Sequence, residues 1–349
     1  MPWYRHLDAA TADGARTIER LEALRAKLDA VGPPPRNLDS TLVLATWNIR
    51  EFDSPKYGSR LPEALQYMAE IIDRFDILAI QEVHQNREAL DELRRLLGPY
   101  WDYLLTDVTI GARGNNERMA FLYDSRKLRL GGLAGEVVLP PIKNQPVEQP
   151  YRTPYLVEFK AGWTRFVLAS VHAQWGAGKK DDPQRVAEID AVAGFLEKRI
   201  IGPDAWSRNV ILLGDFNIFD DSDPGLAALA RHGFVVPEAI RNLGGTNITR
   251  DRIYDQIAFH RDSDRLDTTG RGGVIDFFDT VFLDDDEATY VPQMGNAYAT
   301  TASGSARRDS RRFYRDWRTH QMSDHYPLWV ELTIDYSGEY LKRKQRGEA

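Results

Sequence analysis

The chain has 349 residues, with 45 basic and 52 acidic side chains and no cysteine. The net charge of −7 excludes a protein that coats nucleic acid non-specifically through an overall positive charge. Any polyanion must therefore bind at a local cluster of basic residues. The lack of cysteine excludes disulfides, thiolate metal sites and cysteine nucleophiles.

An amphipathic helix is predicted near the N-terminus. Apolar residues recur at helical spacing from Thr17 to Val31, and Gly32–Pro35 then ends the helix. We expect residues 1–40 to form a helical appendage with a proline-rich linker. One domain spanning residues 41–335 and a charged C-terminal tail at 336–349 would follow, because the polar motifs described below run through the whole central region.

Strands and helices alternate along that region. Apolar runs predict strands, which are Leu42–Ala45, Ile77–Ile80, Met119–Tyr123, Phe166–Val171, Val210–Leu213, Ile257–Phe259 and Leu328–Leu332. Amphipathic patterns predict helices from Pro62, around Leu90–Leu97, and over Arg185–Arg199. This order predicts an α/β (α+β) fold, and a crossover of helical length between the first two strands favours parallel neighbours.

Two stretches have a biased composition. Asp284–Glu287 is acidic and is predicted to be a solvated loop. Ala306–Trp317 contains five arginines interleaved with aromatic rings. Arginine forks fit phosphate and rings stack on bases, so we predict that Arg311, Arg312 and Arg315 bind a nucleic-acid backbone; an ordinary solvent-facing segment is the alternative.

Compartment and assembly are only loosely constrained. The N-terminus has no apolar core of signal-peptide length, and no apolar run is long enough to cross a bilayer. We expect a soluble protein with no membrane span, secreted or periplasmic if a signal peptide was removed and otherwise cytoplasmic. A monomer is favoured.

Polar motifs at the ends of the apolar runs carry the strongest signal. They are Thr46–Ile49, Gln81–Val83, Ser170–His172, Gly214–Asn217, Tyr254–Ile257 and Ser323–His325. One such motif alone is weak evidence, because an isolated Asn or His is usually a turn or structural residue. Six in series, each after or beside a predicted strand, point to one active site.

The residue types in these motifs suit metal-assisted hydrolysis of a phosphodiester. Glu82, Asp215 and Asp324 offer the hard oxygen ligands that a divalent cation requires. His172 and His325 suit proton transfer, because the unperturbed pKa of histidine lies near neutrality.

Other residues would support this chemistry. A catalytic histidine needs a partner that fixes its tautomer, and Glu117 and Asp255 are the candidates. Asn48 and Asn217 offer amides that can hold a phosphate oxygen or orient a ligand without adding negative charge.

The ordered motifs resemble the signature of the endonuclease/exonuclease/phosphatase superfamily over about residues 41–335. Further segments are similar to deoxyribonuclease I; they are Asn116–Tyr123, Tyr151–Pro154, Tyr254–Ile257 and Ser323–Pro327. This resemblance implies a four-layer sandwich of two packed mixed β-sheets flanked by helices. The secreted animal members carry disulfides and this chain has no cysteine, so their disulfide and calcium features are not carried over to it.

The resemblance also implies roles for individual residues. Glu82 and Asp324 would bind Mg²⁺ with Asn48 beside them, and Mn²⁺ or Ca²⁺ are alternative ions. Asp215 and Asn217 would lie at the scissile phosphate and the metal.

The same resemblance makes two pairs the general acid and base, His172 with Glu117 and His325 with Asp255. Arg152 would contact the substrate phosphate. The sequence leaves open which histidine deprotonates water.

The leading hypothesis is a magnesium-dependent DNA endonuclease of low sequence specificity. A phosphatase or phosphodiesterase acting on inositol phosphates or sphingomyelin is the alternative on the same site, although the Trp-Cys-Asp-Arg stretch of inositol phosphatases is missing. A catalytically silent nucleic-acid-binding module is a third hypothesis, and the retention of every metal-ligand and histidine candidate argues against it.

Overall fold

The computed structural model describes residues 2–54, 56, 58–111, 114–141, 148–201, 205–261, 263 and 265–348. The strands are β1 Thr41–Phe52, β2 Ile77–Val83, β3 Trp101–Leu105, β4 Arg118–Asp124, β5 Arg129–Glu136, β6 Tyr155–Ala161, β7 Thr164–His172, β8 Val210–Asp215, β9 Phe234–Val235, β10 Asp255–His260, β11 Thr268–Val274 and β12 Leu328–Thr333. The α-helices are α1 Ala12–Val31, α2 Pro62–Ile72, α3 Glu88–Leu97, α4 Pro183–Ile201, α5 Pro224–Arg231, α6 Glu287–Met294, α7 Asn296–Ala299, α8 Ser310–Gln321 and α9 Ser337–Gln345.

The strands form two mixed six-stranded sheets. The first has the order β11-β12-β1-β2-β4-β3, and the second has the order β5-β6-β7-β8-β10-β9. The central pair of each sheet is parallel, β1 with β2 and β7 with β8. A parallel pair needs a long crossover connection, and helices α2 and α4 provide the two crossovers.

The central strands are buried on both faces. Along β1, Leu42 and Leu44 belong to the apolar cluster that also contains residues of the second sheet. Val43 and Ala45 belong instead to the cluster formed with α1, α2 and α3, because successive side chains of a strand point to opposite faces. A third cluster joins the second sheet to α4 and α5. The predicted four-layer sandwich of two mixed sheets flanked by helices is thereby confirmed.

The predicted N-terminal helix is present and packs on the sandwich. It begins at Ala12, whereas the apolar pattern in the sequence predicted a start at Thr17. The Thr11 hydroxyl accepts a hydrogen bond from the Gly14 amide at 3.0 Å and thereby caps the helix at the earlier position. Arg16 pairs with Glu63 of α2 at 2.8 Å. Val31, the last residue of the helix, is 70% exposed.

The prediction of a solvated loop at Asp284–Glu287 was wrong. Asp284–Asp286 forms a 3₁₀ turn that leads directly into α6. The carboxylate of Asp284 pairs with Arg315 and Arg318 of α8, and the Arg318 contact is 2.9 Å. The acidic and arginine-rich stretches therefore face each other. The arginines of α8 neutralise carboxylates that the sequence pattern had placed in solvent.

Candidate active site

Strand register brings three of the predicted site residues into one row. His172 is opposite Asp215 in the parallel pairing of β7 and β8. Asp255, the first residue of β10, is opposite Asp215 in the antiparallel pairing of β8 and β10. His172 and Asp215 line a cavity of about 460 Å³ together with Asn48 and Glu82 from the first sheet, and Asp255 lies behind the cavity wall next to His325. The site therefore lies where the two sheets meet at one edge of the sandwich.

Each histidine has the carboxylate neighbour predicted for it. His172 Nδ1 lies 3.0 Å from Glu117 Oε2, and His325 Nδ1 lies 2.8 Å from Asp255 Oδ2. Their Nε2 atoms lie 3.8 Å and 4.0 Å from the same oxygen, Asp215 Oδ2. Because Nδ1 of each ring lies next to a carboxylate, Nε2 is the atom that can exchange a proton inside the cavity.

A second group of polar atoms surrounds Asn48. Its Nδ2 donates hydrogen bonds to Glu82 Oε1 and Asp215 Oδ2, both at 2.9 Å. Its Oδ1 is buried and has no hydrogen-bond partner among the described residues. A buried acceptor without a partner is costly unless a ligand meets it. The half-buried carboxylate of Glu82 and the buried carboxylate of Asp215 meet at Asn48, and their hard oxygen donors fit a divalent cation such as Mg²⁺.

Several backbone conformations near the site are unusual. Glu82 has φ 63° and Asn217 has φ 53°, in the left-handed region that ordinary residues avoid. Gly214 has φ 133°, and a Cβ there would meet the Val171 carbonyl oxygen at 2.0 Å. Only glycine fits at position 214, which explains the Gly-Asp sequence. Strain of this kind persists where surrounding structure enforces it, often at functional sites.

The electrostatics of the site are dominated by burial and by the two histidines. Burial raises the pKa of Glu82, and the nearby Glu117 carboxylate raises it further. Burial would also raise the pKa of Glu117, but His172 and Arg152 outweigh it and lower that pKa. For His325, burial acts to lower the pKa, but the charges of Asp255 and Asp215 outweigh it and raise the pKa well above its usual value. These directions favour the ionised form of Glu117 and the cationic form of His325, and they oppose the ionisation of Glu82.

The remaining predicted residues of the motifs also lie at this cavity. Arg152 lines it, and its Nε donates to Glu117 Oε2 at 2.7 Å. Asn217 is fixed by a hydrogen bond from Nδ2 to the Ala173 carbonyl oxygen at 2.8 Å. Asp324 lines the same cavity but is nearer to arginine, with Oδ2 3.6 Å from Arg50 Nε. The metal-binding role of Asp324 stays a prediction.

The three arginines of α8 that were predicted to bind a nucleic-acid backbone, Arg311, Arg312 and Arg315, are not among the residues that line the cavity. Arg311 lies 3.5 Å from Asp285, and Arg315 pairs with Asp284. Arg312 is exposed on the same helix. Part of the positive charge predicted to bind phosphate is therefore already met by carboxylates, and the backbone-binding role of this helix stays a prediction.

Sequence reasoning missed other residues of the cavity wall. Trp175, Asn115, Asn247 and Ile248 all line it. Trp175 could have been noticed, because it follows the predicted strand end at His172 by three residues. The others carry no local signal, since they come from loops that reach the site only through the fold.

The profile of the Endonuclease/Exonuclease/phosphatase family matches residues 45–325. The chain belongs to this family. Members of the family are hydrolases that act on phosphate esters and generally depend on a divalent metal, and the oxygen donors around Asn48 suit that requirement.

Solved structures show the same fold. A family protein from Bacteroides thetaiotaomicron is 20% identical, with 85% of this chain and 96% of that chain covered and a TM-score of 0.54. Danio rerio TDP2, solved with a single-strand DNA product, is 13% identical over 84% and 99% of the chains, with a TM-score of 0.52. A mannosyl-6-phosphatase from Bacteroides thetaiotaomicron is 19% identical over 83% and 99%, with a TM-score of 0.50. At these identities the likeness shows the fold of this family member and leaves its substrate open.

A search of curated proteins found no match. Among the helices of the described residues, none has both the length and the apolar character that a membrane span requires.

Proposed function

We propose that the chain is a divalent-metal-dependent phosphodiesterase that cleaves DNA with low sequence specificity. The observation that supports this most is the pair of histidines on either side of Asp215, each with its own carboxylate next to Nδ1. Hydrolysis of a diester needs two proton transfers, one from the attacking water and one to the departing sugar oxygen. Two separately oriented imidazoles provide one group for each transfer.

In this proposal each residue has a defined task. A water oxygen attacks phosphorus, and one histidine Nε2 accepts its proton while the other donates a proton to the oxygen whose bond to phosphorus breaks. Glu117 and Asp255 hold the two rings in the tautomer that leaves Nε2 facing the cavity. Asp215, placed between the rings, stabilises whichever of them is positively charged.

The metal site would be formed by Glu82, Asn48 and Asp215, with Asp324 as a further carboxylate. When bound, the cation offsets the negative charge that develops on the phosphate oxygens. Asn217 and Arg152 would hold the phosphate. Arg152 donates two hydrogen bonds to Glu117, so its positively charged guanidinium is fixed at the edge of the cavity.

The proposal is tested by nicking of a supercoiled plasmid in the presence of Mg²⁺ or Mn²⁺. We expect the parent protein to nick the plasmid and the His172→Ala and His325→Ala variants to lose activity. His232→Ala is the matched control, because His232 also pairs with a carboxylate, Glu197 at 2.8 Å, but does not line the cavity.

Two outcomes would contradict the proposal. A parent that fails on DNA but hydrolyses inositol phosphates, sphingomyelin or mannose 6-phosphate would be a phosphatase or small-molecule phosphodiesterase. A parent that hydrolyses none of these substrates, and binds DNA as well as both histidine variants do, would be a binding module.

A further inference from the structure

An exposed tryptophan stands on the wall of the candidate active site. Trp175 is 47% exposed, yet it lines the same cavity as His172 and His325. Its ring stacks on Phe219 at a centroid distance of 5.5 Å and meets Tyr254 edge-on at 5.4 Å. We call Trp175, Phe219 and Tyr254 the aromatic wall.

The aromatic wall is continuous with the catalytic histidine. The Tyr254 ring lies 5.6 Å from the His325 ring at an angle of 34°. An extended substrate with its phosphate at the histidines would therefore place a neighbouring group against Tyr254 and Trp175. Most exposed tryptophan surface in proteins needs no functional explanation, but this one is adjacent to the reacting groups.

The loop that carries Trp175 is firmly held. Gly178 has φ 66°, and a Cβ at this position would meet Trp175 Nε1 at 2.8 Å, so only glycine allows the turn to close against the indole. The Asp182 carboxylate accepts hydrogen bonds from the amides of Ala177 at 2.8 Å and Arg185 at 3.0 Å.

A buried arginine ties this loop to the aromatic wall. Arg185 is fully buried and donates to the carbonyl oxygens of Lys179 and Lys180 at 2.8 and 2.7 Å. Its guanidinium also lies over the Phe219 ring, 5.1 Å from the centroid. The indole is thus presented to solvent by a braced loop, and little conformational entropy remains to be lost when a ligand stacks on it.

We infer that the aromatic wall binds a nucleobase of the nucleotide next to the scissile phosphate, with Trp175 as the stacking residue. A planar ring gains most from such a surface, and every base has a π-face, so stacking favours nucleic acid without imposing a sequence. Arg252, whose guanidinium lies 5.4 Å from the Phe219 centroid, adds a cation that suits the adjacent anionic backbone. This inference rests on the proposed phosphodiesterase function and specifies its substrate class.

The test compares two single-stranded oligonucleotides. Each has one phosphodiester among methylphosphonate linkages, and the two differ only in whether the nucleotides flanking that diester carry bases or base-free tetrahydrofuran. Stacking on an aromatic side chain is worth roughly 1–3 kcal/mol per base. We therefore expect the parent to prefer the base-bearing substrate by about five- to hundredfold in kcat/KM, mainly through KM.

Substitutions of Trp175 then show whether this side chain causes the preference for the base-bearing substrate. Trp175→Ala should reduce it towards one, and Trp175→Phe should keep most of it, because phenylalanine retains a stacking ring. Trp163→Ala is the matched control: Trp163 is 44% exposed and packs on Tyr340 of α9, and it does not line the cavity. Unchanged thermal unfolding would verify that each variant is folded.

The possible failures can be told apart. A parent that cleaves both oligonucleotides equally, or a Trp175→Ala variant that keeps the full preference, would overturn the stacking role alone. A parent that nicks the plasmid but cleaves neither oligonucleotide would overturn the stacking role alone, and a parent that also fails on the plasmid would overturn the proposed function. Loss of mannose 6-phosphate hydrolysis in Trp175→Ala, with no preference for bases in the parent, would assign the aromatic wall to a sugar.

Discussion

We expect a half-buried carboxyl group behind the active site to make the stability of the protein depend on pH. Glu188 lies on α4, and its Oε2 is enclosed without a hydrogen-bond partner among the described residues. Burial raises the pKa of Glu188 from 4.5 to about 7, against the smaller opposing effects of Gln174, Arg152 and His172. A carboxyl group with a raised pKa favours folding when protonated and opposes it when ionised.

The size of the effect follows from the two pKa values. The carboxyl group is protonated in both the folded and the unfolded state below about pH 4.5, so its contribution to folding is fully present there. That contribution is lost as the pH rises through about 7, because the unfolded chain ionises more easily. At 1.36 kcal/mol for each pKa unit, the loss amounts to about 3 kcal/mol by pH 8.5.

Glu188→Gln removes the ionisation while keeping the shape of the side chain. We expect the free energy of unfolding of the variant, relative to the parent, to rise by about 2.5 kcal/mol between pH 5 and pH 8.5, because part of the loss has already occurred at pH 5. Urea unfolding at four pH values in this interval measures the difference. Any constant cost of burying the amide cancels in the comparison between pH values.

The matched control is Glu22→Gln, because Glu22 is exposed on α1. If the difference between Glu188→Gln and the parent changed no more across this pH range than the control does, the burial of the Glu188 carboxyl group would be refuted.

Three further predictions concern activity and binding. Glu117→Gln should lower kcat roughly 10²- to 10⁴-fold with little change in KM, because His172 loses the partner that orients its ring; steady-state kinetics on a nucleotide diester measure this, and an unchanged kcat would contradict it. EDTA should abolish activity, and Glu82→Gln should raise the Mg²⁺ concentration for half-maximal activity by at least about tenfold. Loss of even a residue that only hydrogen-bonds to a metal ligand lowers metal affinity by that factor. Titration of the variant and the parent with Mg²⁺ measures the difference. Neutralising Arg311, Arg312 and Arg315 together should weaken DNA binding but leave the hydrolysis of a small diester intact. The slope of the logarithm of the binding constant against the logarithm of the salt concentration should fall by about one rather than three, because two of these arginines already pair with carboxylates. Equal binding by the variant and the parent at every salt concentration would exclude the role.

The central strands were predictable because they are buried on both faces. Ile77–Ile80 and Val210–Leu213 are continuous apolar runs, and both lie inside observed strands. The strands β5 and β11 were not predicted. Their sequences are rich in glycine, and each is an edge strand that pairs with one neighbour only, so its extended conformation depends on that neighbour.

Charge clusters were predicted less well than apolar runs. The acidic and arginine-rich segments were interpreted separately, as a solvated loop and a phosphate-binding surface. In the structure Arg315 and Arg318 reach Asp284 from a different helix. A charged residue gives the same local pattern whether it faces solvent or an opposite charge, because the difference lies in a distant part of the chain.

The sequence by itself determined the chemical groups of the site and the strand ends that carry them. It also indicated, through the resemblance to a known family, which carboxylate accompanies each histidine, and the structure places those atoms within hydrogen-bond distance. Only the tertiary structure decided that Trp175 stands beside the histidines and that Glu188 is enclosed behind them. Stacking and desolvation depend on which distant segments surround a side chain, and residue order along a strand or helix does not record that.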